Sequence, residues 1–310
     1  MHMRLKRTKQ FVRFFYCHFY NSKMTAQPIN LSAGPARLVL RPDLGGGIQG
    51  LWLGDVPIMQ SHANGALAHA AQSASYPLVP YSNRIAHAQL QWQGQHYALA
   101  PNFAPEPHAI HGVGWQRAWA VHAARQDFAH LTSSHTADAD WPFAFDAWQT
   151  FSLTESPLGT TLTLALGMTN RASCPAPAGL GWHPYFVKRA QSHIAFEAAG
   201  RWEMDESKLP STWSATGGLD AHCSALDVDH CFDQWSGAVL LRDECMQVRV
   251  RSDVQRLVVY TTPSLPMLAI EPVSHVNNAM NHADSALRGV QALQPGQSYA
   301  INLTMELNTL

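Results

Sequence analysis

Hydrophobic and polar residues alternate with a period of two along much of this 310-residue chain. Leu162, Leu164, Leu166 and Met168 interleave with Thr161, Thr163, Ala165 and Gly167, as Val248 and Val250 do with Gln247, Arg249 and Arg251. Near the C-terminus Tyr299, Ile301, Leu303, Met305 and Leu307 alternate with Ala300, Asn302, Thr304 and Glu306. Successive side chains of a strand point to opposite faces, so each run predicts a strand with one buried and one wetter face. Leu90-Gln91-Trp92 and His96-Tyr97-Ala98-Leu99 flank Gln93-Gly94-Gln95, a hairpin signal. Leu257-Val258-Val259-Tyr260 is apolar throughout and predicts a strand covered on both faces.

Long helical patterns are lacking. The best helical candidate, Ala63 to Ser73, is rich in Ala but short of apolar anchors. The 20 Gly and 19 Pro are spread along the chain as turn signals, with no linker after residue 30. The pattern predicts one all-β, sandwich-like domain over residues 25–310.

Residues 1–24 differ. Arg4, Lys6, Arg7, Lys9, Arg13 and Lys23 supply six positive charges with no acid before Asp43, and Phe11, Phe14, Phe15, Tyr16, Phe19 and Tyr20 crowd the middle. A targeting peptide is one reading. The interrupted apolar part and the lack of a small-residue cleavage site favour an over-extended start instead, with translation beginning at Met24. Either way the segment is expected to lie outside the fold.

Composition narrows the partners. With 46% hydrophobic and 14% charged residues the chain can bury a large core, and a net charge of −1 argues against nucleic acid or an acidic membrane as the main partner. No run of about 18 apolar residues predicts a membrane span. The five cysteines, Cys17, Cys174, Cys223, Cys231 and Cys245, are odd in number and show no Cys-x-x-Cys spacing. They imply neither a disulfide framework nor a zinc ribbon, and a cytoplasmic, reducing location is expected.

Candidate chemistry is concentrated in short segments. Gly181-Trp182-His183-Pro184-Tyr185-Phe186 sets an imidazole on a proline-stiffened, aromatic-walled backbone. Leu268-Ala269-Ile270-Glu271-Pro272-Val273-Ser274-His275 holds one acid in an apolar run. From ordinary values near ~4.3 for Glu and ~6.5 for His, Glu271 is the natural base and His183 the proton donor. Tyr76-Pro77-Leu78-Val79-Pro80-Tyr81-Ser82-Asn83-Arg84-Ile85 offers an Asn–Arg pair, where the guanidinium forks hydrogen bonds to hydroxyls or serves as a surface ion-pair partner. His108-Ala109-Ile110-His111-Gly112-Val113-Gly114-Trp115 has two imidazoles but lacks the third and fourth ligands of a metal site, so His111 reads as a polar site residue. In Leu226–Trp235, three acids sit in an expected loop, where one aimed inward would accept from two sugar hydroxyls. Gly45-Gly46-Gly47 lacks the spacing of a phosphate cradle and reads as a tight turn or bulge.

Taken in order, Asn83-Arg84, His111-Gly112-Val113-Gly114-Trp115, Gly181–Phe186, Asp229-His230-Cys231-Phe232 and Glu271-Pro272 resemble the aldose 1-epimerases of the galactose mutarotase-like superfamily. The resemblance runs from about residue 30 to the C-terminus. It implies a large antiparallel β-sandwich with a sugar cleft on one sheet face. By the same resemblance His183 is the general acid and Glu271 the general base. Arg84, Asn83 and His111 would orient the sugar near its reacting end, and Asp229 would hold ring hydroxyls. No cofactor or metal is implied, and the partner is a small-molecule sugar. The chain departs from the family pattern at Cys231, where many relatives carry Asn, and at Pro272-Val273-Ser274-His275, which is like the family's less-characterised branches. Epimerisation of a hexose 6-phosphate, carbohydrate binding without turnover and a metal-dependent β-barrel enzyme are the rival readings.

Overall fold

A computed structural model describes residues 27–62 and 67–310. The N-terminal extension, residues 1–24, and the first part of the helical candidate, residues 63–66, lie outside the described residues. The rest of that candidate contains a single 3₁₀ turn, Ala70–Gln72, because its alanines supply no apolar stripe to dock a helix. The described helical elements are all such turns of three residues.

Two large antiparallel sheets form the body. The first has nine strands in the order Ala120–Arg125, Phe128–His135, Phe145–Ser156, Gly159–Asn170, Ser298–Thr309, Met246–Ser252, Ala238–Arg242, His193–Phe196 and Leu219–His222. The period-two runs supply its centre. Leu162, Leu164, Leu166, Met168, Val248, Val250, Ile301, Leu303, Met305 and Leu307 are all buried, whereas their alternates face outward or are only partly covered, except Gly167, which lies buried under the Trp148 ring.

The second sheet has eight strands. Seven run in the order Pro210–Ala215, Ala198–Met204, Val228–Trp235, Arg256–Thr261, Met267–Val273, Gly181–Trp182 and Pro77–Leu78, and Tyr185–Val187 also pairs with Met267–Val273. Register assigns its two faces. Phe232 lies opposite Leu257 and Val259 opposite Ile270, and these side chains join one continuous core cluster with the leucines of the first sheet. On the other face Cys231 lies opposite Val258, which lies opposite Glu271. Alternation along a single strand therefore sends Ile270 to the core and Glu271 away from it.

Two local expectations meet the backbone directly. Gln89–Trp92 and Gln95–Ala98 form the hairpin, with positive φ at both Gln93 and Gly94 as a type I′ turn requires. Gly45 and Gly46 also have positive φ and make a tight turn, and a Cβ at Gly45 would overlap the carbonyl oxygen of Trp115. One expectation is corrected: the acid-bearing segment is not a loop, since Val228–Trp235 is an interior strand held on both edges. Its apolar Val228, Cys231 and Phe232 are buried, which outweighs the turn preference of its aspartates.

Candidate active site

Glu271 projects from the middle of Met267–Val273, and His183 follows the two-residue strand Gly181–Trp182 that pairs beside it. The two side chains meet, with His183 Nε2 3.2 Å from Glu271 Oε1. Their residues are 6% and 2% exposed, so little of the contact meets bulk solvent. The Tyr185 hydroxyl lies 3.4 Å from the same Nε2 and 3.3 Å from the hydroxyl of Tyr76. Aromatic rings wall the pair: the His183 ring centroid is 4.8 Å from Tyr76, 4.4 Å from Tyr185 and 5.1 Å from His111.

Burial shifts the two titrating groups in opposite directions. It holds the Glu271 carboxyl well above its usual range, with the nearby Asp229 charge adding to the effect. It lowers the His183 imidazole to about 3. Sequence alone orders the two groups the other way; the dry pocket reverses that order because it disfavours carboxylate and imidazolium alike. Glu271 Oε2 and His183 Nδ1 have no hydrogen-bond partner among the described residues, which further opposes a buried ion pair. Both shifts favour the uncharged forms, a carboxyl and a neutral imidazole with one transferable proton between Oε1 and Nε2.

His111 enters from a loop with positive φ at both His111 and Gly112. The His111 backbone N–H donates to the Asn83 carbonyl at 2.9 Å, and the ring Nδ1 accepts the backbone N–H of Asn83 at 3.1 Å. Because that N–H can only donate, the neutral ring carries its proton on Nε2. Burial above all, with the electrostatic effect of neighbouring His183 and of the Arg84 charge, holds His111 well below the ordinary imidazole value. His108 is engaged elsewhere, with Nδ1 accepting from the His87 N–H and Nε2 lying 3.1 Å from the Ser207 carbonyl. The two imidazoles thus serve separate partners.

Arg84 is clamped by Glu106, Nη2 to Oε1 at 2.9 Å and Nε to Oε2 at 3.3 Å, and the Asn83 side-chain oxygen accepts from its Nη1 at 3.3 Å. The guanidinium in turn holds the Glu106 carboxyl below its usual range. Asp229, half-buried in its strand, takes Lys208 Nζ at 3.3 Å. The other two acids of that segment are accounted for separately: Asp227 is exposed, and Asp233 accepts from Trp202 Nε1 and pairs with Arg256.

Sequence reasoning brought His183, Glu271, His111, Asn83 and Arg84 to one place but missed Glu106, Lys208 and the paired hydroxyls of Tyr76 and Tyr185. Glu106 left a weak signal as an acid between two prolines just before His111. Lys208 left none, since only the hairpin between Ala198–Met204 and Pro210–Ala215 carries it to Asp229.

Known proteins share this arrangement of strands. The uncharacterized protein YphB of Escherichia coli is 26% identical over 311 residues, covering 90% of this chain and 98% of its own. The chain also superposes on the structure of a candidate aldose 1-epimerase of Escherichia coli (TM-score 0.83, 24% identity, 92% of this chain and 99% of that one). A galactose mutarotase-like protein of Clostridium acetobutylicum matches at TM-score 0.78 and 17% identity, over 92% and 96% of the two chains. These likenesses establish a large antiparallel β-sandwich of the galactose mutarotase-like type. The sequence profile of the aldose 1-epimerases matches residues 28–306, and this chain belongs to that family.

Proposed function

We propose that this protein interconverts the α and β anomers of a neutral aldohexose, with His183 and Glu271 as its acid–base pair. The observation that carries the reading is their buried 3.2 Å contact, walled by Tyr76, Tyr185 and His111. Sugar binding draws the proton onto His183 and leaves Glu271 as the carboxylate. Glu271 then takes the proton of the anomeric hydroxyl as His183 gives its own to the ring oxygen. The C1–O5 bond breaks, C1 becomes an aldehyde, rotation about C1–C2 follows, and reclosure returns both protons. The pair holds one proton before and after each half-cycle, so no cofactor or metal is invoked. Each positioned group contributes about 10²–10⁴-fold, roughly 3–5 kcal/mol.

Arg84 and the Nε2–H of His111 orient the sugar near C1, Asn83 braces Arg84, and Asp229 accepts from ring hydroxyls. A neutral substrate is favoured over a phosphorylated one because Arg84 and Lys208 are already matched by Glu106 and Asp229. Lys188 and Arg189, the other cations near His183 in sequence, bond instead to Thr261, Thr262, Asp243 and Pro57. Binding without turnover would gain nothing from two buried titratable groups. We take residues 25–310 as a single domain and the location as cytoplasmic, in keeping with free thiols at Cys174, Cys223, Cys231 and Cys245.

The test is polarimetry of freshly dissolved α-D-galactose and α-D-glucose, with wild type beside Glu271→Gln. Acceleration that disappears in the variant supports the reading. Failure of the wild type to accelerate either sugar counts against it.

A further inference from the structure

His275 lies four residues after Glu271, outside the acid–base pair, yet it is 1% exposed and both ring nitrogens are engaged. Nε2 accepts the backbone N–H of Ser82 at 3.1 Å, across 193 residues of sequence. Nδ1 lies 2.7 Å from the Val276 carbonyl, which can only accept, so Nδ1 carries the proton and the ring is neutral. Burial agrees, lowering the imidazole to about 4. The ring also packs on Gly179, where a Cβ would overlap it, and the Gly179 N–H donates to the Pro80 carbonyl at 2.7 Å.

One imidazole therefore touches three segments. Ser82 adjoins Asn83 and Arg84; Gly179 precedes His183; His275 itself continues the strand of Glu271. Its neighbours reinforce the same junction. Ser274 Oγ accepts the Leu180 N–H at 2.9 Å, and the Asn278 N–H donates to the Arg84 carbonyl at 2.9 Å. The Asn83 N–H in turn fixes His111, so the chain of contacts reaches the sugar-orienting groups as well.

We propose that His275 is a positioning residue whose neutral Nε2, by accepting the Ser82 N–H, holds the Asn83–Arg84 segment in register with Glu271 and His183. This rests on the reading of the site as a sugar 1-epimerase. Losing the acceptor leaves a buried N–H unsatisfied and lets the segment drift, which weakens sugar binding more than it slows proton transfer.

The test compares His275→Leu, which fills the space without an acceptor, with His275→Gln, whose amide oxygen can take the place of Nε2. For His275→Leu, KM for the sugar should rise about ten-fold or more while kcat falls several-fold less. His275→Gln should restore KM to within about three-fold of wild type. A fall in kcat with unchanged KM, tracking lost folded protein, would mean a merely structural role and overturn the proposal. Equal behaviour of the two variants would overturn it too. Histidine ¹⁵N NMR of the full chain, assigned through His275→Gln, gives an answer independent of turnover. A neutral ring protonated on Nδ1 is expected at pH 7, and protonation on Nε2 would refute the bridge. An inactive wild type showing the expected tautomer would sink the catalytic reading alone.

Discussion

His183 Nε2 and Glu271 Oε1 lie 3.2 Å apart, and both groups are largely withdrawn from bulk water. Two ordinary side chains thereby become one titrating unit with a single proton to place, and the chemistry of the pocket follows from that coupling. Replacing either member removes the unit. Glu271→Gln and His183→Asn should each lower kcat by at least ~10²-fold, and the double variant should be far from additive. Full additivity in steady-state polarimetry would contradict a shared transition state.

The same burial carries a stability cost that Glu271→Gln relieves. A carboxyl held above its unfolded value stays protonated in the native state while the unfolded chain ionises, so it opposes folding above the unfolded pKa. Glu271→Gln should therefore raise Tm at pH 7–8 by about 2–4 °C for each kcal/mol relieved, while abolishing activity. The gain should fade as pH drops toward 4.5, the unfolded value, and scanning calorimetry across that range checks it.

Acid stability has a defined sign. His183, His275 and His111 are all lowered on folding from 6.5, the first two to about 3 and about 4, so the unfolded chain binds protons the native state refuses. The raised Glu271 acts in the opposite sense, keeping a native proton that the unfolded chain releases above 4.5. His130, His135, His230 and His282 are lowered as well, so the histidines outnumber it and stability falls as pH drops below 6.5. Urea unfolding at pH 7, 6 and 5 measures the slope, and His275→Gln should make it shallower by up to about 1.4 kcal/mol per pH unit.

Glu106 decides whether Arg84 is available to anions. Its carboxylate takes two guanidinium nitrogens of Arg84, at 2.9 and 3.3 Å. Glu106→Gln should loosen that clamp, raise KM for the neutral sugar several-fold and make inorganic phosphate a millimolar inhibitor where wild type is indifferent. Phosphate titration of both proteins is the check. Equal insensitivity would mean that the clamp does not set the preference for an uncharged substrate.

Residues 1–23 precede both the family match at residue 28 and the first described strand, Ile29–Ala33. Their deletion should leave Tm and turnover unchanged. A fall in either would give the segment a role in the folded protein.

The strands were legible because burial on one sheet face writes itself into every second residue, as at Leu162–Met168 and Ile301–Leu307. Their order was not, since Gly159–Asn170 pairs with Ser298–Thr309 across more than a hundred residues and no local pattern encodes that choice. His183 and Glu271 stood out as polar residues embedded in apolar motifs. His275 stood in a quoted motif too, but its meaning depends on Ser82, a backbone group that any residue could have supplied. Ordinary solution values do not carry the shifts of Glu271 and His183, because desolvation is a property of the assembled site.

The matching of charges described for the pocket reaches beyond chemistry. Arg84 is offset by Glu106 and Lys208 by Asp229, and burial favours the uncharged forms of the acid–base pair. Such a cleft projects little field into the surrounding water, so it neither draws ions inward nor pulls a polar visitor from a distance. For the uncharged sugar proposed as substrate, such a cleft predicts arrival by unguided diffusion, at a rate that added salt leaves unchanged.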